Sequence, residues 1–207
     1  MQYASAYLPV RSAQAWLSHQ HGQWGNECCM TEEPLTPGMK VISNRDGGRN
    51  SQLDHPELML SLDGKPTETS GRVIGAALCW SGNYKLRIAT DATDTHLRHL
   101  IAGIDETAAD YRLRPGQTLR TPELALTFST TGKGGVSRNM HRWARQYKLH
   151  NGMAMRDVLL NSWEGVYLDI TEEKMMTLME GVKQLGGELF VMDDGWFGKK
   201  YPRKKDD

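Results

Sequence analysis

Residues 188–198 read Glu-Leu-Phe-Val-Met-Asp-Asp-Gly-Trp-Phe-Gly. A short apolar run ends abruptly in two adjacent carboxylates, a glycine and a tryptophan. Two neighbouring ionised groups are costly to bury unless water or a polar ligand solvates them, so this ending does more than pack. Ionised carboxylates beside an indole suit a sugar. Its hydroxyls donate to strong acceptors, and its C–H faces lie against an apolar plate.

Upstream of this stretch the period is helical. Thr171 has the chemistry of an N-cap, and Glu172 and Glu173 stand where the positive end of a helix dipole favours them. Met175, Leu178, Met179, Val182 and Leu185 form the apolar stripe, which reads as core, and Gly186-Gly187 ends the helix. Asp157 to Trp163 reads as a buried strand before it, and Leu189 to Met192 as a second strand after it. A right-handed crossover makes the two parallel. Both strands then finish on one face, the first at Trp163 and Glu164, the second at Asp193, Asp194 and Trp196. In parallel β/α architectures ligands bind at that carboxyl face.

The first two thirds of the chain read differently. Val73 to Trp80 is a strand, Ser81-Gly82-Asn83 a hairpin turn, and Tyr84 to Ile88 alternates with period two. Arg114-Pro115-Gly116-Gln117 is a further turn, followed by an apolar run from Leu124 to Phe128. Short strands at this spacing predict an antiparallel sandwich. From Val136 the period switches: Val136, Met140, Trp143 and Tyr147 share one face of a helix that covers the sandwich and hands the chain onward. The expected organisation is therefore mixed β and α/β. A β-sandwich spans 1–134, a linking helix and linker 135–155, and a β-α-β unit 156–207.

Composition narrows the function. Twenty-five Lys and Arg balance 25 Asp and Glu, so nothing favours nucleic acid or an anionic membrane as a partner. The basic run from Lys199 to Lys205 is closed by Asp206 and Asp207 and reads as a solvated loop. Three cysteines without regular spacing do not make a disulfide framework. His19 and His21, like His96 and His99, lack a third ligand in pattern, so no metal and no cofactor is expected. No run of about 18 apolar residues is present to span a membrane. Met1 to Ser18 carries no basic segment followed by an apolar one, which implies a cytoplasmic protein if Met1 is the true start.

Asn161-Ser162-Trp163-Glu164, the helix after it and Leu189 to Gly198 together resemble family 36 glycoside hydrolases, the alpha-galactosidases. That family shows an Asn-Asn-Trp-Glu motif on its first barrel strand and Asp-Asp-Gly-Trp-Phe after its second. Gly22-Gln23-Trp24-Gly25-Asn26-Glu27 is similar to a Gly-x-Trp-x-Arg-Glu segment, with Asn26 standing where arginine is usual. Arg49 to Pro56 resembles a polar loop of the family, and Trp80 to Asn83 a recurrent hairpin. The resemblance covers roughly Leu17 to Asp207. It implies the latter part of a large sandwich followed by the first β-α-β of a (β/α)8 TIM barrel. A complete barrel needs about 250 residues, whereas 51 positions run from Asp157 to Asp207, so a fragment is expected.

A retaining glycosidase needs two carboxyl groups about 5–5.5 Å apart on opposite sides of one bond. Adjacent residues such as Asp193 and Asp194 leave a strand toward opposite sides and cannot readily flank one bond. The resemblance implies that the catalytic pair lies beyond Asp207. It assigns Asp193 and Asp194 to galactose, chiefly at the axial O4 and at O6, and makes Trp163 a pocket wall. Trp24 resembles a sandwich tryptophan reaching toward a sugar, Trp196 either packs or contacts, and Glu164 is a supporting acceptor. The implied partner is a terminal alpha-galactoside such as raffinose or melibiose, and the resemblance admits a homo-oligomeric parent enzyme. The alternative is a non-catalytic carbohydrate-binding or structural β-sandwich. An unrelated α/β enzyme lacks a Gly-rich phosphate loop or a nucleophile elbow.

Overall fold

The computed structural model describes residues 6–49, 52–105, 107 and 111–197, and the basic run from Lys199 lies outside them. The chain divides into two compact units, Met1–Leu149 and His150–Asp207. Among the described residues of the first, nine strands form two antiparallel sheets. One holds β1 (Ala6–Arg11), β8 (Leu97–Ile104), β7 (Tyr84–Thr90) and β4 (Met39–Asn44), in that order. The other runs β3 (Asn26–Pro34), β2 (Trp16–Gln23), β5 (Leu53–Ser61), β6 (Val73–Leu78), β9 (Leu124–Ser129).

Alternation decides which side chains face inward. In β7, Tyr84, Leu86 and Ile88 are buried while Lys85 and Arg87 turn outward. They join Leu100 and Ala102 of β8 and Leu17, Leu58, Leu60 and Leu78 from the other sheet in one core. The Tyr84 hydroxyl donates to the Asp54 carbonyl at 2.6 Å, and burial, aided by Asp54 and Glu57, pushes its phenol pKa well up. Asp105, after β8, has a fully buried carboxylate. It accepts from Arg45 Nε at 2.7 Å and lies 3.5 Å from Lys85 Nζ.

Ser81-Gly82-Asn83 does not close a hairpin. β6 pairs with β5 and β9, whereas β7 pairs with β4 and β8, so the turn carries the chain from one sheet to the other. The Trp80 N–H donates to the Leu78 carbonyl at 2.8 Å, bending the chain as it leaves β6. The Trp80 indole N–H then donates to the Asn83 carbonyl at 3.1 Å. The polar loop expected over Arg49 to Pro56 is likewise strand from Leu53 onward. The turn at 114–117 is present, with Gln117 N–H donating to the Arg114 carbonyl at 3.0 Å.

Helix α1 (Gly132–Trp143) begins four residues before the apolar period does. Its first N–H groups, on Gly132, Lys133 and Gly134, donate at 3.0 Å to the carbonyls of Gly71, Thr67 and Glu68, so a loop replaces the side-chain cap. Val136 is buried because β6 offers Gly75 beneath it, where a Cβ would sit 2.3 Å from Val136 Cγ1. A π-helical turn, Ala144–Lys148, continues α1, and Tyr147 on the expected apolar face is exposed.

The second unit is β10 (Leu159–Asn161), a single turn α2 (Trp163–Val166), α3 (Glu172–Gln184) and β11 (Leu189–Val191). β10 and β11 are parallel, in register from Leu159↔Leu189 to Asn161↔Val191. Thr171 caps α3 by accepting from Lys174 N–H, and Gly186 and Gly187 close it by donating to Lys183 and Val182 carbonyls. The strand expected from Asp157 to Trp163 is shorter and is not buried: its three residues are exposed or half-buried, and Trp163 starts a helical turn. Of the apolar stripe of α3, Met175 is buried, but Met179 and Leu185 are exposed. No described helix is long and apolar enough to cross a membrane.

Candidate functional site

The parallel register brings the carboxyl ends of β10 and β11 side by side, and the polar residues there extend the ladder. Ser162, fully buried, donates its N–H to the Val191 carbonyl at 2.9 Å, and its Oγ accepts from Asp193 N–H at 3.0 Å. Asn161 Nδ2 donates to Asp193 Oδ2 at 2.6 Å, while Asn161 Oδ1 accepts from Trp163 N–H at 2.8 Å. Asp193 Oδ1 accepts from the Asp194 N–H at 2.6 Å. The Asp194 amide first, and the Asn161 amide second, hold the Asp193 carboxyl below the usual carboxylate range. Asp194 Oδ1 accepts from Gly195 N–H at 3.0 Å. The two carboxylates are thus both oriented by amides, an arrangement suited to accepting hydrogen bonds rather than to attacking a carbon.

Gly195 is required by position. Its φ is +100°, and a Cβ there would lie 3.0 Å from Leu168 Cα and 3.2 Å from the Leu168 carbonyl oxygen. Trp163 stands half-buried at the start of α2 and meets the Tyr167 ring edge-on at 5.4 Å and 82°. Tyr167 takes φ +50° and ψ −128°, a region costly for a residue with a Cβ. Its hydroxyl donates to Glu164 Oε2 at 3.4 Å, and its N–H to the Trp163 carbonyl at 2.7 Å. Trp196 is 70% exposed and touches Phe197 edge-on.

The second unit therefore gathers Asp193, Asp194 and Trp163. Trp24 belongs to the sandwich unit, at the tip of the β2–β3 hairpin, where it is 84% exposed. Sequence reasoning named Asn161 and Ser162 within the family-like motif without giving them a role, and passed over Tyr167. A signal existed for the first two, since two consecutive polar residues ending an apolar strand must find partners. None existed for Tyr167, whose backbone conformation sets its place. The sandwich unit also has a groove of about 270 Å³ bordered by Met30, Met59, Val136 and Met140. It has no carboxylate pair beside an indole.

An antiparallel sandwich followed by a parallel β-α-β, with carboxylates and an indole at the strand ends, defines a β-domain followed by a β/α unit. Residues 1–114 match the family model described as the glycosyl hydrolase family 36 N-terminal domain, and residues 118–207 match that described as melibiase. The chain belongs to glycoside hydrolase family 36. It is 35% identical over 187 residues to probable alpha-galactosidase G of Aspergillus terreus, covering 89% of this chain and 25% of that protein. Alpha-galactosidase AgaA of Geobacillus stearothermophilus is 33% identical over 189 residues, again covering 89% of this chain and 25% of the relative. The crystal structure of AgaA superposes with a TM-score of 0.86 at 29% identity, over 95% of this chain and 27% of that one. A variant of AgaA solved in complex with raffinose gives 0.84 at 30% identity, over 97% of this chain and 27% of that one. The chain spans about a quarter of the length of the curated relatives it matches.

Proposed function

We propose that this chain serves an alpha-galactosidase, a retaining glycoside hydrolase that removes terminal alpha-linked galactose from oligosaccharides such as raffinose or melibiose. Within it the chain supplies recognition of galactose and not the catalytic pair. Asp193 and Asp194 accept from sugar hydroxyls, and Trp163 walls the pocket. Trp24 is a further sugar contact offered by the sandwich. The proposed organisation keeps 1–134 as sandwich, 135–155 as link and 156–207 as the start of a (β/α)8 catalytic domain.

One observation carries this reading: both carboxylates are oriented by amide donors at the carboxyl end of β11, beside the strand end that presents Trp163. Ionised acceptors make short, strong bonds to hydroxyls. Two carboxyl groups on consecutive residues do not make the opposed pair that a retaining mechanism requires. Family membership supports the sugar, and the stachyose and raffinose complexes of AgaA variants support its class. The test is an assay of the purified 207-residue chain with an aryl alpha-galactoside. No turnover is expected. Turnover abolished by Asp193→Asn would overturn the division between recognition and catalysis.

A further inference from the structure

We infer that Asn161 is the positioning residue of the site, a side-chain amide that locks the Asp193 carboxylate to the backbone on which Trp163 turns. The inference rests on the sugar reading of Asp193 given above, and adds to it a residue that touches no sugar itself.

The geometry allows one orientation of the amide. Asn161 Oδ1 faces the Trp163 N–H at 2.8 Å and Nδ2 faces Asp193 Oδ2 at 2.6 Å. Exchanging the two ends would set an oxygen against a carboxylate and an NH2 against an N–H, so the assignment follows from the partners. The side chain therefore bridges both strand ends at once. It holds the start of α2, which carries Trp163, and the second residue after β11, Asp193, which carries the carboxylate. Ser162 adds a parallel tie through Asp193 N–H, but that bond fixes the backbone and leaves the carboxylate free to rotate. Rotation is stopped by the Asp194 N–H on one oxygen and by Asn161 on the other. Removing Asn161 leaves one tether, and χ2 of an aspartate is a soft, broad torsion. A misplaced acceptor loses the alignment on which a charged hydrogen bond depends. The lowered Asp193 pKa, to which Asn161 contributes second after the Asp194 amide, agrees with the same contact.

The experiment follows the side-chain carboxyl of Asp193 and the indole N–H of Trp163 by NMR in the 207-residue chain, with melibiose as the probe. In Asn161→Ala the Asp193 titration should move up toward the ordinary carboxylate value, the Trp163 indole signal should shift, and melibiose affinity should fall about tenfold or more. Asn161→Asp is nearly isosteric and keeps the acceptor for Trp163 N–H, so it guards against simple misfolding. There two carboxylates face each other, and one of the pair should titrate above the ordinary value of about 4. An Asp193 titration and a Trp163 signal unchanged in both variants would overturn the inference. A wild-type chain blind to melibiose, with the Asp193 titration still moved by Asn161→Ala, would uphold the positioning contact and overturn the sugar reading instead.

Discussion

Leu100 in β8 and Leu189 in β11 are both strand leucines, yet the first is fully buried and the second 43% exposed. The difference runs through the two units. In the sandwich, β1, β4, β7 and β8 bury their apolar faces against β2, β5 and β6, and twelve residues make one closed core. In the β-α-β unit, Met175 is the apolar side chain that reaches full burial among the described residues, while Leu159, Met179, Leu185 and Met192 stay exposed. A two-stranded parallel sheet leaves both edges and much of its faces open, and parallel sheets are stable when covered on both sides. The sandwich supplies its own stability. The unit that carries Asp193, Asp194 and Trp163 has its local hydrogen bonds but little core of its own.

The largest consequence is in hydrogen exchange. Amides at the centre of β7 and β8, such as Leu86 and Leu100, should be protected at least about a thousandfold more than those of Leu159–Asn161 and Leu189–Val191. Equal protection in a monomer would mean that the β-α-β unit is stabilised by something its own packing does not contain. The next effect is energetic. Leu100→Ala should cost the sandwich roughly 2–5 kcal/mol in urea denaturation, and Leu189→Ala less than about 1 kcal/mol. Third comes a polar counterpart: Asp105→Asn leaves Arg45 and Lys85 facing a neutral amide and should cost about 2–3 kcal/mol. Burial works against its charge, but hydrogen bonds from Thr107 and Arg45 and the nearby Lys85 hold the Asp105 pKa well below the ordinary value. Its stabilisation is therefore complete above about pH 4 and fades as pH falls below that.

The smallest effect concerns His19, buried in β2 with Nδ1 3.3 Å from Asp54 Oδ1 and Nε2 3.9 Å from Glu33 Oε1. Lys40 Nζ lies 2.6 Å from the same Glu33 oxygen. Burial lowers the imidazole pKa, with Lys40 and His21 helping and Asp54 and Glu33 opposing. The unfolded chain thus takes up this proton first. The stabilisation is present above about pH 6.5 and is lost as pH falls through the folded value. His19→Gln should flatten the decline in the urea midpoint between pH 7 and pH 5 by a fraction of the ~1.4 kcal/mol per pH unit that one proton carries. An unchanged slope would show that His19 does not titrate differently in the two states.

Much of this was readable from residue order, and the exceptions share a cause. The parallel strands, the Thr171 cap and the Gly186-Gly187 stop follow from local chemistry, and so did the meeting of Trp163 with Asp193 and Asp194 at one face. Pairing between distant segments did not show. Val73–Leu78 and Tyr84–Thr90 flank a turn-like tripeptide, and whether they pair with each other or separate into two sheets depends on partners elsewhere in the chain. The start of α1 at Gly132 was hidden because glycine is a poor helix former. Tertiary packing overrides that preference, since small residues are what allow the helix to sit on Ser129 and Gly75. Strands β2, β4 and β5 lack a clean apolar alternation in sequence. Polar residues such as Ser18, His19, Asn44 and His55 occupy their buried positions.

Recognition without catalysis is best tested in a chimera, with residues 1–207 replacing the matching quarter of Geobacillus stearothermophilus AgaA and turnover by the unsubstituted chimera as the control. Asp193→Ala and Asp194→Ala should each lower kcat/KM on an alpha-galactoside roughly 10- to 150-fold, the loss of a charged hydrogen bond. Selectivity over the matching alpha-glucoside should fall with it, because the axial hydroxyl that separates the two sugars loses its acceptor. Unchanged kcat/KM and selectivity would reduce the pair to structure. A near-total loss of kcat with rescue by azide or formate would make one of them the catalyst and contradict the proposal.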